Sequence, residues 1–141
     1  MYDTILVPTD GSDGTATVLE HALSIAGDGT TVHGVYVMDR RRYTAARPEE
    51  TEAVKAALRE EGERALAFQR ETLEDAGVPA VTALRDGIPH RTILEYAAEQ
   101  DVDLIVIGTH GRTGPDRLVN LGSTTERVVK NGDVPVLVVD I

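Results

Sequence analysis

Five apolar runs of strand length, separated by helical stretches and by turns marked with glycine or proline, leave this chain few folds to choose from. The first run, Thr4-Ile5-Leu6-Val7-Pro8, ends in Thr9-Asp10-Gly11-Ser12, after which Val18, Leu19, Ala22, Leu23, Ile25 and Ala26 fall on one helical face. Gly27-Asp28-Gly29 stops that helix, and Thr31 to Met38 reads as the second strand. From Asp39 to Pro48 the chain is Arg-rich and aperiodic, the signature of a loop. From Glu49 to Ala76 it is helical, with Val54, Leu58, Gly62, Ala65, Gln69 and Leu73 tracing a stripe at spacings of three and four. Gly62 sits on that inner stripe, which points to close packing.

Gly77-Val78-Pro79 ends this helix, Ala80 to Leu84 makes a short third strand, and Asp86-Gly87 turns the chain. Pro89 suits the first turn of a helix carrying Ile93, Leu94, Ala97 and Ala98. Asp103 to Ile107 is the fourth strand, Ser123 to Lys130 the last helix, and Val134 to Val139 the fifth strand. Strands that alternate with helices in this way form a parallel α/β sheet with right-handed crossovers, and the 141 residues suffice for one domain, 1–141. The near-continuous apolar character of strands one and four places them at the centre, covered on both faces. Ligands of such sheets bind beyond the carboxyl ends of the strands where strand order reverses, here between Asp10 and Gly108.

At that crevice lies an unusual stretch, Gly108 to Thr125, with glycines at 108, 111, 114 and 122. It is longer than the roughly 2–6 residues that ordinarily join a strand to a helix. Ser123 followed by Glu126 reads as a capping box that starts the last helix. Glycines let backbone N–H groups approach an anion, successive amides form a nest, and a helix start adds unpaired donors and a favourable dipole. Arg112 is placed to pair a terminal phosphate, and His110 is a candidate phosphate contact in the same loop. The alternative is that Ser123 only caps its helix and the glycines only turn the loop. Asp10 divides in the same way, between accepting turn amides and touching a ligand.

Composition narrows the ligand. A net charge of −10, from 24 acids against twelve arginines and two lysines, repels nucleic-acid backbones and anionic membranes, so a small phosphate ligand must be held by local donors. The same balance suits a surface hydrated in concentrated salt, which points to a halophilic host; the alternative is an ordinary acidic protein. With no cysteine there is no thiol chemistry, and His21, His33 and His90 lie in separate elements without metal-ligand spacing. No apolar run is long enough to span a bilayer and no leader pattern opens the chain, so a cytoplasmic protein is expected. Arg40-Arg41-Arg42 reads as a solvated run that sits near enough to reach phosphates, and Glu49-Glu50, Glu52 and Glu60-Glu61 as the wet face of the long helix.

Gly108-Thr-His-Gly111-Arg-Thr-Gly114 with Gly122-Ser123 resembles the universal stress protein family, whose nucleotide-binding members carry G-x2-G-x9-G-(S/T). The likeness extends to Ile5-Leu6-Val7-Pro8-Thr9-Asp10-Gly11-Ser12, Val35 to Asp39, Gly87-Ile88-Pro89, Asp103 to Gly108 and Pro135 to Val139. It implies a Rossmann-like three-layer α/β/α fold with a five-stranded sheet of order 3-2-1-4-5. It implies a site for ATP, or for ADP or AMP, in which Pro8, Thr9 and Asp10 meet the ribose or adenine side and Val37 lies beside adenine. Gly108, His110, Gly111, Arg112, Gly122, Ser123 and Thr124 surround the phosphates, which would themselves carry any magnesium or manganese. Ten residues, Arg112 to Leu121, separate Gly111 from Gly122, one more than the family pattern.

Three functions follow as expectations: a regulatory ATP-binding protein, a module of the same fold that binds no nucleotide, or a weak ATPase. The last lacks a G-x-x-x-x-G-K-(S/T) loop and has no lysine in its glycine-rich stretch. Val134 to Val139, apolar and expected at a sheet edge, is placed to pair with a second copy in a homodimer.

Overall fold

The computed structural model describes residues 2–109 and 121–141. Ten elements follow in order: β1 (Thr4–Thr9), α1 (Thr15–Ile25), β2 (Thr31–Asp39), α2 (Arg40–Thr44), α3 (Thr51–Asp75), β3 (Ala80–Gly87), α4 (Pro89–Glu99), β4 (Leu104–Gly108), α5 (Ser123–Asn131) and β5 (Val136–Val139). The strands form one parallel sheet of order β3-β2-β1-β4-β5, with Val7 opposite Gly34, Ile5 opposite Leu104 and Gly108 opposite Val139. This is the expected order, with β1 and β4 in the interior and β5 at the edge.

Alternation along the strands buries apolar side chains on both faces of the sheet. Ile5 and Val7 of β1 pack with Val18, Leu19 and Ala22 of α1 and Leu73 of α3 on one face. Leu6, between them, turns to the other face and meets Ile93 and Ala97 of α4 and Val128 of α5. All three β1 side chains are fully buried, which is why the run shows no polar alternation. Gly62 belongs to the close-packed face of α3, since a Cβ there would lie 2.6 Å from Tyr36 Cδ1.

Three local expectations are corrected. The Arg-rich stretch after β2 is not all loop: the Asp39 carboxylate accepts the Arg41 amide at 3.0 Å and so caps the short helix α2. β3 does not stop at Leu84 but runs to Gly87, because β2 extends to Asp39 and keeps pairing with it, Met38 opposite Asp86 and Asp39 opposite Gly87. β5 begins at Val136 rather than Val134, with Pro135 contributing only its carbonyl, which accepts the Ile105 amide at 3.0 Å.

Beneath α4 lies a buried polar pair. His33 of β2 and Tyr96 of α4 meet at 2.6 Å between Nδ1 and the phenol oxygen. Burial holds the His33 imidazole below its ordinary value and pushes the Tyr96 phenol up, so the pair meets with both groups neutral. The unfolded chain therefore binds the proton first. The pair's contribution is complete above the ordinary histidine value of about 6.5 and is lost as pH falls through the lower folded value. In urea titrations between pH 7 and pH 5, His33→Gln is expected to show a shallower loss of stability than the parent chain; parallel slopes would remove His33 from the acid response.

Candidate functional site

The helix after β1, α1, packs on one face of the sheet and the helix after β4, α5, on the other, so the carboxyl ends of β1 and β4 mark the point where the helices part. A cleft of about 570 Å3 opens there.

On the β1 side its wall is Pro8, Thr9 and Asp10, followed by Ser12 and Thr15. The turn is tied by side chains close in sequence. The Thr9 hydroxyl lies 2.9 Å from that of Thr15 and accepts the Gly11 amide at 3.1 Å, while Asp10 Oδ1 accepts the Ser12 amide at 2.9 Å. Gly11 takes a φ of 82°, which a side chain would resist. Asp10 thus satisfies the turn with one oxygen and remains exposed on the cleft wall.

On the opposite side Gly108 closes β4 and the start of α5 is stitched to it. The Thr125 hydroxyl donates to the Gly108 carbonyl at 2.7 Å, and the Gly122 amide donates to the Thr109 carbonyl at 2.7 Å. The expected capping box is not formed. Gly122, in extended geometry at φ −62° and ψ 153°, is the N-cap, which makes Ser123 the first helical residue. Glu126 instead accepts from Lys130 at 2.8 Å, one turn further on. The N–H groups of the first turn have no acceptor within the helix, and Gly122, Ser123, Thr124 and Thr125 all line the cleft. An anion placed there meets unpaired donors and the positive end of the helix dipole.

The third wall comes from β2 and α2. Tyr36, Val37 and Asp39 reach the cleft, as do Arg41 and Arg42. Asp39 holds Arg41 with two bonds, at 2.9 and 2.7 Å, and the guanidinium keeps the Asp39 carboxyl below the usual range. Arg42 lies 3.8 Å from Glu61, which also accepts the Tyr36 hydroxyl. Pro89 and Ile93 of α4 and Ile107 of β4 add an apolar surface. His90, at the start of α4, is held below its ordinary value by burial and then by Arg127, Arg91 and Arg41. Arg41, Arg91 and Arg127 thus bring positive charge near the start of α4.

The structure gathers eight of the sequence-derived positions around one cleft: Pro8, Thr9, Asp10, Val37, Gly108, Gly122, Ser123 and Thr124. His110, Gly111 and Arg112 lie outside the described residues. Sequence reasoning passed over Ser12, Thr15, Tyr36, Asp39, Thr125 and Ile141, all on the cleft wall, and favoured a solvated run for the arginines after β2 over their reach toward phosphates; Arg41 and Arg42 line the cleft. Thr125 stands next to Ser123-Thr124 and was open to inclusion; nothing nearby in sequence marks Ile141. Among the described residues no group of three or more His, Cys, Asp or Glu side chains is placed to hold a metal ion, and no helix is long and apolar enough to cross a membrane.

The residue pattern of the universal stress protein family matches positions 1–140. Universal stress protein MJ0531 of Methanocaldococcus jannaschii is 40% identical over 141 residues, spanning 99% of this chain and 82% of that protein. The solved structure of MJ0577 from the same organism superposes with a TM-score of 0.89 at 34% identity, covering 100% of this chain and 97% of its own. Two further structures share the fold. One is an Archaeoglobus fulgidus universal stress protein in complex with dAMP, at TM-score 0.69 and 24% identity over 97% of each chain. The other is a universal stress protein in complex with cAMP, at TM-score 0.70 and 22% identity over 99% of this chain and 97% of that one.

Proposed function

We propose that this chain, which belongs to the universal stress protein family, is a regulatory protein that binds ATP or another adenine nucleotide in the cleft beyond β1 and β4. The observation that carries the reading is the meeting, around one cleft, of the uncapped start of α5 with the end of β4 and the Asp10 turn of β1. The cleft of about 570 Å3 falls in the range of roughly 300–1,000 Å3 usual for small-molecule sites. Its polar end supplies amide donors for phosphates at Ser123 and Thr124, with Gly108 and Gly122 leaving the backbone open beside them; its apolar end, at Val37, Pro89 and Ile93, suits a base, with Asp10 toward the ribose. His110, Gly111 and Arg112 join the phosphate end in this reading on sequence grounds. The complexes of relatives with dAMP and cAMP support adenine as the base.

A divalent ion would be carried by the phosphates. Slow hydrolysis at most accompanies binding, since Asp10 is engaged by the turn and no lysine faces the phosphate end among the described residues. Among the described residues β5 has a sheet neighbour on one side only, and it exposes Leu137, so a second copy is proposed to pair along it.

Titration calorimetry with ATP and magnesium tests the reading, run at molar KCl to suit the acidic surface. A saturable heat with negligible turnover is expected. Absence of heat would leave a module of the same fold that binds no nucleotide, and fast steady turnover would make the chain an ATPase. Sedimentation of the same sample should give a dimer mass; a monomer at micromolar concentration would refute pairing through β5.

A further inference from the structure

Ile141 follows the edge strand β5, yet its side chain lines the cleft two strands' width away from that edge's open side. It lies between two glycines on different elements. A Cβ on Gly14, the N-cap of α1, would fall 2.5 Å from Ile141 Cδ1, and one on Gly108, at the end of β4, 2.4 Å from the same atom. Neither glycine is required by its backbone: Gly14 sits at φ −63° and ψ −17°, and Gly108 is not among the positive-φ residues. At both, Ile141 occupies the space a side chain would need.

The backbone beside it is equally fixed. The Ile141 amide donates to the Thr109 hydroxyl at 3.1 Å, the Thr109 amide donates to the Val139 carbonyl at 2.8 Å, and the Thr109 carbonyl accepts the Gly122 amide at 2.7 Å. One residue, Thr109, thereby joins the end of β5, the Ile141 wedge and the N-cap of α5.

We infer that Ile141 and Thr109 are positioning residues for the phosphate end of the cleft: Ile141 sets the spacing of β4 from the start of α1, and Thr109 transmits it to the amides of α5. The inference rests on the adenine-nucleotide reading. Binding groups work within about 0.5 Å of their productive geometry, so loss of the wedge acts on affinity without removing any group that touches the ligand's base. Its effect falls on phosphate-bearing ligands.

Calorimetry on the full chain, with Ile141→Ala, Ile141→Val, Thr109→Val and Thr109→Ser, decides it. Ile141→Ala and Thr109→Val are expected to weaken ATP binding about tenfold or more, with adenosine affinity within twofold of the parent and the melting temperature of the ligand-free protein nearly unchanged. Thr109→Ser, which keeps the hydroxyl, should recover most of the affinity, and Ile141→Val, which lacks the Cδ1 packed between the two glycines, should fall between Ile141→Ala and the parent. ATP affinity unchanged in Ile141→Ala, or ATP and adenosine weakened alike, would overturn the positioning role. A parent chain that binds neither ligand would overturn the nucleotide reading itself, and a parent that binds ATP beside unaffected variants overturns only this inference.

Discussion

Under the proposed nucleotide reading, Gly122→Val is expected to lower the affinity for ATP by about a hundredfold or more, some 2.7 kcal/mol, while the protein stays folded. The two effects separate because of where Gly122 sits. Its φ of −62° and ψ of 153° lie in the extended region open to any residue, so valine brings no backbone strain. Exchanging an N-cap glycine for a β-branched residue weakens the helix by about 1 kcal/mol, and the Gly122 amide can still donate to Thr109. The added methyl groups, however, stand on the cleft wall beside the unpaired amides of Ser123 and Thr124, where phosphate oxygens must come within about 3 Å. Alanine at the same position should fall between. Calorimetry gives the affinity and a thermal melt gives the stability; ATP affinity equal to the parent's would remove the start of α5 from the site.

The sequence carries the fold more openly than the site. β1 and β4 are legible as central because their apolar residues are buried on both faces, whereas the full order of the five strands was implied by the family resemblance. α2 was hidden because Arg40-Arg41-Arg42-Tyr43 has no apolar period, and the helix depends on one carboxylate, Asp39, at its start. The last residues of β3 were hidden because Arg85 and Asp86 are polar, and a strand at the sheet edge tolerates that. In the site, residues announced by local chemistry were readable: Asp10 before a glycine turn, Gly122-Ser123-Thr124 before an amphipathic helix. Ile141 was not, because its role depends on two glycines, at 14 and 108, that come together only when β4 and α1 are in place. A glycine in a sequence marks that space is needed without naming what fills it.

Gly34 makes the same point in the core, and Gly34→Ala is expected to lower stability by about 2–4 kcal/mol. A Cβ at position 34 would lie 2.2 Å from Gln69 Oε1 and 2.9 Å from Gln69 Cδ. Gln69 cannot swing away, being fully buried on α3, where its amide nitrogen donates to the Val7 carbonyl of β1 at 3.1 Å. Overpacking of this kind costs about 1–3 kcal/mol, and pushing the amide from Val7 forfeits a buried hydrogen bond of about 1 kcal/mol. Gln69 Oε1 already lacks a hydrogen-bond partner among the described residues, so a displaced amide has no nearby compensation. Gln69→Ala alone leaves a cavity under β2 and should also destabilise, by about 2–4 kcal/mol. The two substitutions do not add: the new methyl occupies space that the amide vacated, so the double variant should be more stable than the sum of the single effects by about 1 kcal/mol or more. Urea midpoints at unchanged slope measure all three. Costs that add to within about 0.5 kcal/mol would mean that Gly34 is not there to admit Gln69. Tyr36 and Val37 follow on the same strand and line the cleft, so the placement of β2 against α3 bears directly on the wall of the site.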